Sequence, residues 1–317
     1  MTRVGVAQIG SVLYDIPATL TRMEHLCTRA ASEGVEFLVF PEAFVGGYPK
    51  GITFGATVGS RTAEGREEFH RYFESAIVIP GPETERMGAM ARAMNAWLVV
   101  GVIERAGTTL YCSALSISPD GTIAGKHRKL MPTAAERLIW GFGDGSTIAT
   151  MDSPHGRFAA TICWENYMPQ LRQAMYAQGI ELWCAPTVDD RDIWQASMRH
   201  IAYEGRCFVL SACQFFTRAD CPADYTPVQG NDPGTVLIRG GSVIVSPLGE
   251  ILAGPVYGKE ALLTAEIDRA DIARGKFDLD TVGHYARPDI FQLSVNITPQ
   301  NAVTFGGDAL SHPAIEP

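Results

Sequence analysis

Several features that would place a chain in a specialised class are missing from these 317 residues. The longest apolar runs, such as residues 96–103, are far shorter than the roughly 20 residues that a membrane-spanning helix needs. Residues 1–8 read as a β-strand and lack the basic-then-apolar order and the cleavage site of a signal peptide. We therefore expect no membrane partner and a cytoplasmic location.

Motifs for metals and cofactors are also missing. The seven cysteines include no C-x-x-C pair, and the seven histidines include no H-x-x-x-H pair. The sequence has no glycine-rich phosphate loop of the Walker or dinucleotide type and no G-x-S-x-G elbow. We expect no metal, no other cofactor and no serine hydrolase chemistry. An odd number of scattered cysteines favours reduced thiols.

Basic residues are in the minority, since 26 Lys and Arg against 35 Asp and Glu give a net charge of −9. This balance disfavours nucleic acid as a partner. The 46% hydrophobic and 19% charged content is typical of a globular enzyme. A small molecule is the expected ligand.

Strand-like and helix-like segments alternate from the first residue to about Arg274, and no linker rich in Pro, Gly or Ser divides them. Apolar residues at helical spacing follow Pro17 and Pro82, and each helical pattern precedes a buried strand, near residues 35–40 and 97–103. Because the cycle recurs over residues 168–213, the pattern predicts a single α/β domain.

Two weak internal similarities indicate a repeat. Residues 34–37 (GVEF) resemble residues 179–182 (GIEL), and residues 118–123 (SPDGTI) resemble residues 246–251 (SPLGEI). The second pair has Pro and Gly where β-hairpins turn. Two similar halves could bury their bare sheet faces against each other, which predicts a four-layer α-β-β-α sandwich of two pseudo-symmetric halves. Chance similarity between α/β units is the alternative.

Cys163 follows the apolar run 158–162 and precedes a helical pattern, so we expect it at a strand-to-helix turn. Backbone N–H groups and the positive end of a helix dipole at such a turn would lower the pKa of the thiol and offer an oxyanion site. The alternative is a buried structural cysteine, because free cysteines are among the most buried residues.

Two other charged residues are candidates for the same chemistry. Glu42 ends the strand before a glycine-rich turn, where burial would raise its pKa towards use as a general base, unless it only caps the next segment. Lys129 lies in a basic cluster that is either a solvated face or a strand on which Lys129 and His127 share one side and Arg128 the other. Glu136 could flank the lysine.

With these residues in place, the chain resembles the nitrilase branch of the carbon–nitrogen hydrolase superfamily. The segments that carry the resemblance are residues 34–49, residues 126–133 with 136–137 and 140–141, and residues 163–166. Further similarity over 194–214, 240–255 and 282–288 looks closest to plant-type nitrilases and their bacterial relatives. Ala159 and Phe142 depart from the usual pattern. The resemblance implies a single carbon–nitrogen hydrolase domain over residues 1–300 and a short C-terminal tail over 301–317.

The resemblance also implies a reaction. Glu42 would take the proton of Cys163, and the thiolate would attack a nitrile carbon to form a thioimidate. Lys129 would stabilise or protonate the developing nitrogen anion, and Glu136 would help to orient the lysine and water. Water addition, loss of ammonia and hydrolysis of a thioester would then give a carboxylic acid.

For the substrate pocket, the resemblance implies Tyr48, Thr133, Trp164 and Val188 as contacts of a small-molecule nitrile, while Glu165 is expected to be an internal structural acid. It further implies a homodimer or a higher homo-oligomer.

Three alternatives stay open. An amidase or carbamoylase shares the same three catalytic residues, although the residues after Cys163 resemble nitrilases better. A nitrile or cyanide hydratase would stop at the amide. A non-catalytic assembly protein would keep the fold, but it has no physical need for Glu42, Lys129 and Cys163 together.

Overall fold

A computed structural model describes residues 1–303, so the predicted tail lies outside the described residues from position 304 onwards. Within this range the strands are β1 (Thr2–Gln8), β2 (Phe37–Val39), β3 (Ala56–Thr57), β4 (Ser60–Arg61), β5 (Trp97–Ala106), β6 (Thr109–Ile117), β7 (Ile123–Arg128), β8 (Phe158–Ala160), β9 (Leu182–Thr187), β10 (Phe208–Cys213), β11 (Phe215–Thr217), β12 (Val236–Val245), β13 (Ile251–Tyr257) and β14 (Ala261–Ile267). The α-helices are α1 (Ile16–Ser32), α2 (Ala63–Glu74), α3 (Pro82–Met94), α4 (Pro169–Ala177), α5 (Asp192–Gly205) and α6 (Ala270–Gly275). Short 3₁₀ helices span Ala134–Leu138, Gly145–Thr147, Cys163–Tyr167 and Arg218–Asp220.

Two large sheets organise these elements. The first has the strand order β14-β1-β2-β5-β6-β7, and the second has the order β11-β12-β10-β9-β8 with β13 paired to β12. In the first sheet β1, β2 and β5 are parallel, and β6 and β7 continue antiparallel. In the second sheet β8, β9 and β10 are parallel, and β12 and β13 continue antiparallel. The same succession of strands therefore occurs twice.

The two internal sequence similarities occupy equivalent places in these halves. Residues 34–37 lead from α1 into β2, and residues 179–182 lead from α4 into β9. Residues 118–123 form the turn between β6 and β7, and residues 246–251 form the turn between β12 and β13. The predicted repeat is confirmed at the level of strand order.

Alternating side chains account for three of the four clusters that make up the core. On β2, Phe37 and Val39 belong to a cluster that also contains Leu182 and Leu210 of the second sheet, while Leu38 faces the other way. A second cluster joins that outer face to α1 and α3, and a third joins the outer face of the second sheet to α4 and α5. Period-two alternation in strands covered on both faces accounts for this division. The α/β class is confirmed, and the clusters are those that an α-β-β-α arrangement produces.

The first helix shows how closely the sequence pattern specifies an element. Asp15 caps α1 by accepting the N–H of Ala18 at 2.9 Å, and the predicted apolar face is buried. Within residues 1–303, no helix is long and apolar enough to cross a membrane.

Strand direction brings several loop residues to one place. Glu42 follows β2, Lys129 follows β7, Cys163 follows β8 and Val188 follows β9. Within each sheet these strands run in the same direction, so their carboxyl ends lie at the same end of the sheet. The two halves are also joined by β14, which crosses back to pair with the whole of β1.

Candidate active site

Cys163 begins the 3₁₀ helix Cys163–Tyr167 with a φ of 51°, in the left-handed region. A non-glycine residue keeps this conformation only where its surroundings hold it. The support comes from Asn166, whose amide donates to the Cys163 carbonyl at 2.7 Å and accepts the indole N–H of Trp183 at 2.7 Å. The predicted turn between strand and helix is confirmed.

A buried lysine lies between two carboxylates. The Nζ of Lys129 is 2.6 Å from Oε1 of Glu42 and 2.8 Å from Oε2 of Glu136. All three side chains are buried or nearly so. A buried charge needs such pairing, because removal from water is costly without it.

The remaining carboxylate positions also have partners. Val188 donates its backbone N–H to Oε2 of Glu42 at 3.1 Å. Tyr48 donates its hydroxyl to Oε1 of Glu136 at 2.7 Å, and Thr133 donates its backbone N–H to Oε2 of Glu136 at 2.6 Å. The two carboxylates are thus fixed by contacts from both halves of the chain.

The prediction that Lys129 and His127 share one side of the basic cluster, with Arg128 on the other, is confirmed. His127 and Lys129 point into the protein, and His127 Nε2 lies 3.1 Å from the buried carboxylate of Glu165. Arg128 points the other way, where it donates to Glu104. Glu165 also accepts backbone N–H groups, as expected of an internal structural acid.

The predicted direction of the Cys163 pKa was wrong. Burial raises the pKa of the Cys163 thiol, and the negative charge of Glu42 raises it further. Lys129 lowers this pKa, and so does the Thr187 hydroxyl, which donates to Sγ at 3.2 Å. Together they lower it by less than burial and Glu42 raise it. The helix that starts at Cys163 is a short 3₁₀ helix rather than an α-helix with aligned peptide dipoles.

Burial and charge also shift the neighbouring groups. Burial raises the pKa of Glu42, and the repulsion from Glu136 adds to the rise, whereas Lys129 opposes it. For Lys129, burial alone would lower the pKa, but Glu42 and the other nearby acidic groups raise it well above its usual range. The site therefore holds a cationic lysine, a carboxylate of raised pKa and a protonated thiol.

A cavity of about 170 Å³ opens onto the thiol. Six of the predicted site residues line it, and they are Tyr48, Thr133, Glu136, Cys163, Trp164 and Val188. The other two, Glu42 and Lys129, are buried behind the cavity wall. At the rim, the indole of Trp164 donates to Asp189 at 2.8 Å, and Arg191 lies over the same ring at 4.9 Å from its centroid.

A second cavity, of about 270 Å³, adjoins the first and shares Tyr48, Lys50 and Glu136 with it. Its wall is mostly apolar and includes Ile52 and Trp140. Phe142 is 54% exposed and is not among the described residues that line either cavity.

Residues 3–277 match the family described as carbon-nitrogen hydrolase. The chain belongs to this family. An aliphatic nitrilase of Sinorhizobium fredii (strain HH103) is 56% identical over 301 residues, which cover 95% of this chain and 97% of that protein. A bifunctional nitrilase/nitrile hydratase of Nicotiana tabacum is 55% identical over 307 residues, which cover 96% of this chain and 88% of that protein.

The fold agrees with solved structures of the same superfamily. Saccharomyces cerevisiae Nit3, a member of the nitrilase superfamily, matches with a TM-score of 0.67 and 21% sequence identity. The match covers 90% of this chain and 97% of that chain. The segment assigned to the carbon-nitrogen hydrolase family contains every residue of the site described above.

Sequence reasoning missed several contacts of this candidate site. Cys112 contacts Glu42, and Thr187 contacts the Cys163 thiol. Asp189 and Arg191 pair at the rim of the cavity, where Nε of Arg191 donates to Oδ1 of Asp189 at 2.8 Å. Only the pairing of β6 with β7 could have indicated Cys112, because no local motif distinguishes it.

Among the described residues, no group of three or more His, Cys, Asp or Glu side chains is arranged to hold a metal ion.

Proposed function

We propose that this chain hydrolyses an organic nitrile to a carboxylic acid and ammonia. The observation that carries the proposal is the buried network of Glu42, Lys129 and Glu136, which lies beside Cys163 at the end of a cavity. The Sinorhizobium relative named as an aliphatic nitrilase, at 56% identity, supports the choice of substrate class.

In the first half of the reaction, Glu42 accepts the thiol proton of Cys163 while Sγ bonds to the nitrile carbon. One π bond of the nitrile breaks, and its electron pair moves to nitrogen. Lys129 stabilises this charge and donates a proton, which it regains from protonated Glu42 along their 2.6 Å hydrogen bond. The product is a thioimidate on Cys163.

In the second half, water adds to the carbon of the thioimidate to give a tetrahedral intermediate. Cleavage of the carbon–nitrogen bond releases ammonia and leaves a thioester. A second water then cleaves the carbon–sulfur bond, which releases the acid and restores the thiol. Glu136 borders the cavity and bonds to Lys129, which suits a role in orienting the lysine and the water.

The pKa shifts support Glu42 as the base. A general base works best when its pKa approaches the working pH, and burial raises the pKa of Glu42 in that direction. The raised pKa of Cys163 means that its thiol keeps its proton until Glu42 removes it. Attack and proton transfer are therefore coupled in this proposal.

The two cavities suggest how a substrate is held. The nitrile group occupies the cavity at Cys163, and the organic group extends past Tyr48 into the apolar cavity of about 270 Å³. This arrangement favours nitriles with an extended apolar group over the smallest ones. Tyr48, Thr133, Trp164 and Val188 are the proposed contacts.

Release of an amide is a second candidate outcome. If the tetrahedral intermediate loses the carbon–sulfur bond instead of the carbon–nitrogen bond, the product is an amide. The Nicotiana relative, at 55% identity, is named a bifunctional nitrilase/nitrile hydratase, which favours this second outcome as a side reaction. An amidase, a carbamoylase or a non-catalytic protein has no such support from these relatives.

We further propose that residues 1–300 act as one domain and that the chain forms a homo-oligomer in the cytoplasm. Large apolar side chains are exposed along residues 277–303, including Phe277, Tyr285 and Phe291, and burial of such side chains favours self-association. Light scattering after size-exclusion chromatography should give a multiple of the single-chain mass.

A matched pair of substrates tests the proposed function. The purified protein is given an aliphatic nitrile and the corresponding amide, with ammonia and product mass measured for each. We expect acid and an equal amount of ammonia from the nitrile, with a minor fraction of amide. Hydrolysis of the amide alone would contradict the proposal.

A further inference from the structure

Cys112 on β6 contacts both charged partners behind the nucleophile. Its Sγ lies 3.6 Å from Oε1 of Glu42, the same oxygen that Lys129 approaches at 2.6 Å. Its backbone carbonyl accepts the N–H of Lys129 at 2.8 Å. One residue of the first sheet therefore touches the carboxylate through its side chain and the lysine through its backbone.

The surroundings of the Cys112 thiol determine that it is the donor in its hydrogen bond with Glu42. Cys112 is only 1% exposed, and burial raises the pKa of its thiol well above the usual range, as does the adjacent charge of Glu42. The thiol therefore keeps its proton and can only donate to the carboxylate. A thiol is a weak donor, but hydrogen bonds to charged acceptors are the stronger kind.

Cys184, which shares this core cluster with Cys112 and Cys163, shows that the contact with Glu42 is not a general property of buried cysteines in the cluster. Cys184 on β9 is fully buried in that cluster, and within the described part of the chain its sulfur has no hydrogen-bond partner. Both thiols fill space between the sheets. Of these two thiols, Cys112 is the one that contacts an ionisable group of the site.

We propose that Cys112 is a positioning residue, whose thiol donates to Glu42 Oε1 and holds the carboxylate in the orientation that faces both Lys129 and Cys163. This inference rests on the proposed function, because it assigns to Glu42 the role of base. Val188 anchors Oε2 from the second half of the chain, and Cys112 steadies Oε1 from the first.

Two substitutions separate hydrogen bonding from packing. Cys112→Ala removes the donor, and Cys112→Ser keeps one. We expect kcat of Cys112→Ala to fall about tenfold with little change in KM, since a hydrogen bond to a charged group contributes enough for such a factor. Cys112→Ser should recover most of the lost rate. Cys184→Ala, which removes an equally buried thiol without a polar contact, should keep kcat within about twofold of wild type.

The pH dependence of kcat/KM would not change if Cys112 only filled space in the core. The donor stabilises the ionised form of Glu42, so its loss raises the pKa of Glu42 and moves the acid limb of kcat/KM to higher pH. The other titratable groups that act on Glu42 are unchanged in these variants, and they are Lys129, Glu136, Cys163, Tyr48 and Cys213. Cys112→Ser should return the limb towards the wild-type position.

Alkylation of Cys163 by iodoacetamide, followed by peptide mass mapping, tests the same point without turnover. If wild type hydrolyses no nitrile, the proposed function fails, while the pH dependence of alkylation still tests Cys112. We expect that dependence to move to higher pH in Cys112→Ala and to return in Cys112→Ser. Superimposable profiles for wild type and Cys112→Ala, or equal effects of the two substitutions, would overturn the inference.

Discussion

Glu136 is the second carboxylate beside Lys129. The oxygens of Glu136 accept hydrogen bonds from Lys129, Tyr48 and Thr133. Replacement of Glu136 by glutamine would keep the geometry of these hydrogen bonds. The amide oxygen can accept from Lys129 and Thr133, and the Tyr48 hydroxyl can turn to accept from the amide N–H. What disappears is one negative charge beside the lysine.

We therefore expect Glu136→Gln to lower kcat about 100-fold, as is typical when a charge-stabilising group is disturbed. The melting temperature should change little because the hydrogen bonds remain. The negative charge of Glu136 raises the pKa of Glu42, so its removal should also move the acid limb of the pH profile to lower pH. Steady-state kinetics and calorimetry on the same preparations measure both effects.

Glu104→Gln is the matched control. Glu104 is another buried carboxylate with two cations, Lys126 and Arg128, but it lies outside the site. This variant should lose stability, because it removes the carboxylate that pairs with both Lys126 and Arg128, whereas Lys129 still pairs with Glu42 in Glu136→Gln. Its rate should stay that of wild type. A Glu136→Gln protein that simply unfolds, or one with a wild-type rate, would argue against the role of Glu136 in catalysis.

Residue types and strand ends were enough to predict Glu42, Lys129 and Cys163 as candidates. The direction of the Cys163 pKa could not be predicted in the same way, because it depends on how completely the second half of the chain buries the sulfur. Cys112 was not identified at all, since its contact with Glu42 arises across strands and leaves no local motif.

At the scale of elements, one buried carboxylate holds the end of β7 to the turn at Cys163. Glu165 accepts the backbone N–H of Ile162 at 2.6 Å and that of Leu130, and it pairs with His127. Burial alone would lower the pKa of His127, but the charge and hydrogen bond of Glu165 raise it above the usual value. Folding therefore favours the charged form of His127 more than the unfolded chain does.

This pairing predicts a pH dependence of stability. Because the folded-state pKa of His127 is raised, its stabilisation is fully present below the unfolded value of about 6.5 and is lost as the pH rises through the folded value. Between pH 6 and 9, wild type should lose on the order of 3 °C more in melting temperature than His127→Gln. Parallel curves for the two proteins would contradict the assignment.

The apolar cavity beside Tyr48 is built by the loop that follows β2 and by the 3₁₀ helix Ala134–Leu138. Ile52→Trp should narrow it, raising KM for nitriles with long apolar groups several-fold while leaving the shortest nitriles unaffected. Val58→Trp is the control, because Val58 lies in the same region and is fully exposed. Chain-length series for the three proteins measure the effect, and a uniform loss over all lengths would argue against this subsite.

Hydrophobic period and turn residues predicted α1, α3, α4 and α5, but α2 was not predicted. The short strands β2 and β8 were harder to delimit, because they have only three residues each and are buried on both faces. The two cavities could not be predicted, since their walls come from loops without periodic patterns.

At the scale of the whole molecule, the site is shared between the two halves. Glu42 and Lys129 come from the first half, and Cys163 and Val188 come from the second. The repeat in the sequence predicted two similar halves, and the strand orders agree with it. The crossing of β14 to β1 was not predicted, because pairing between distant strands leaves no signal in local sequence.

Rapid-quench mass spectrometry can detect whether a nitrile becomes covalently attached to Cys163 during turnover. Wild type is mixed with excess nitrile, quenched within one turnover and digested for peptide mapping. We expect a transient adduct on the Cys163 peptide that decays as acid and ammonia appear, with neither adduct nor product from Cys163→Ala. An adduct on another residue, or undiminished turnover by folded Cys163→Ala, would contradict it.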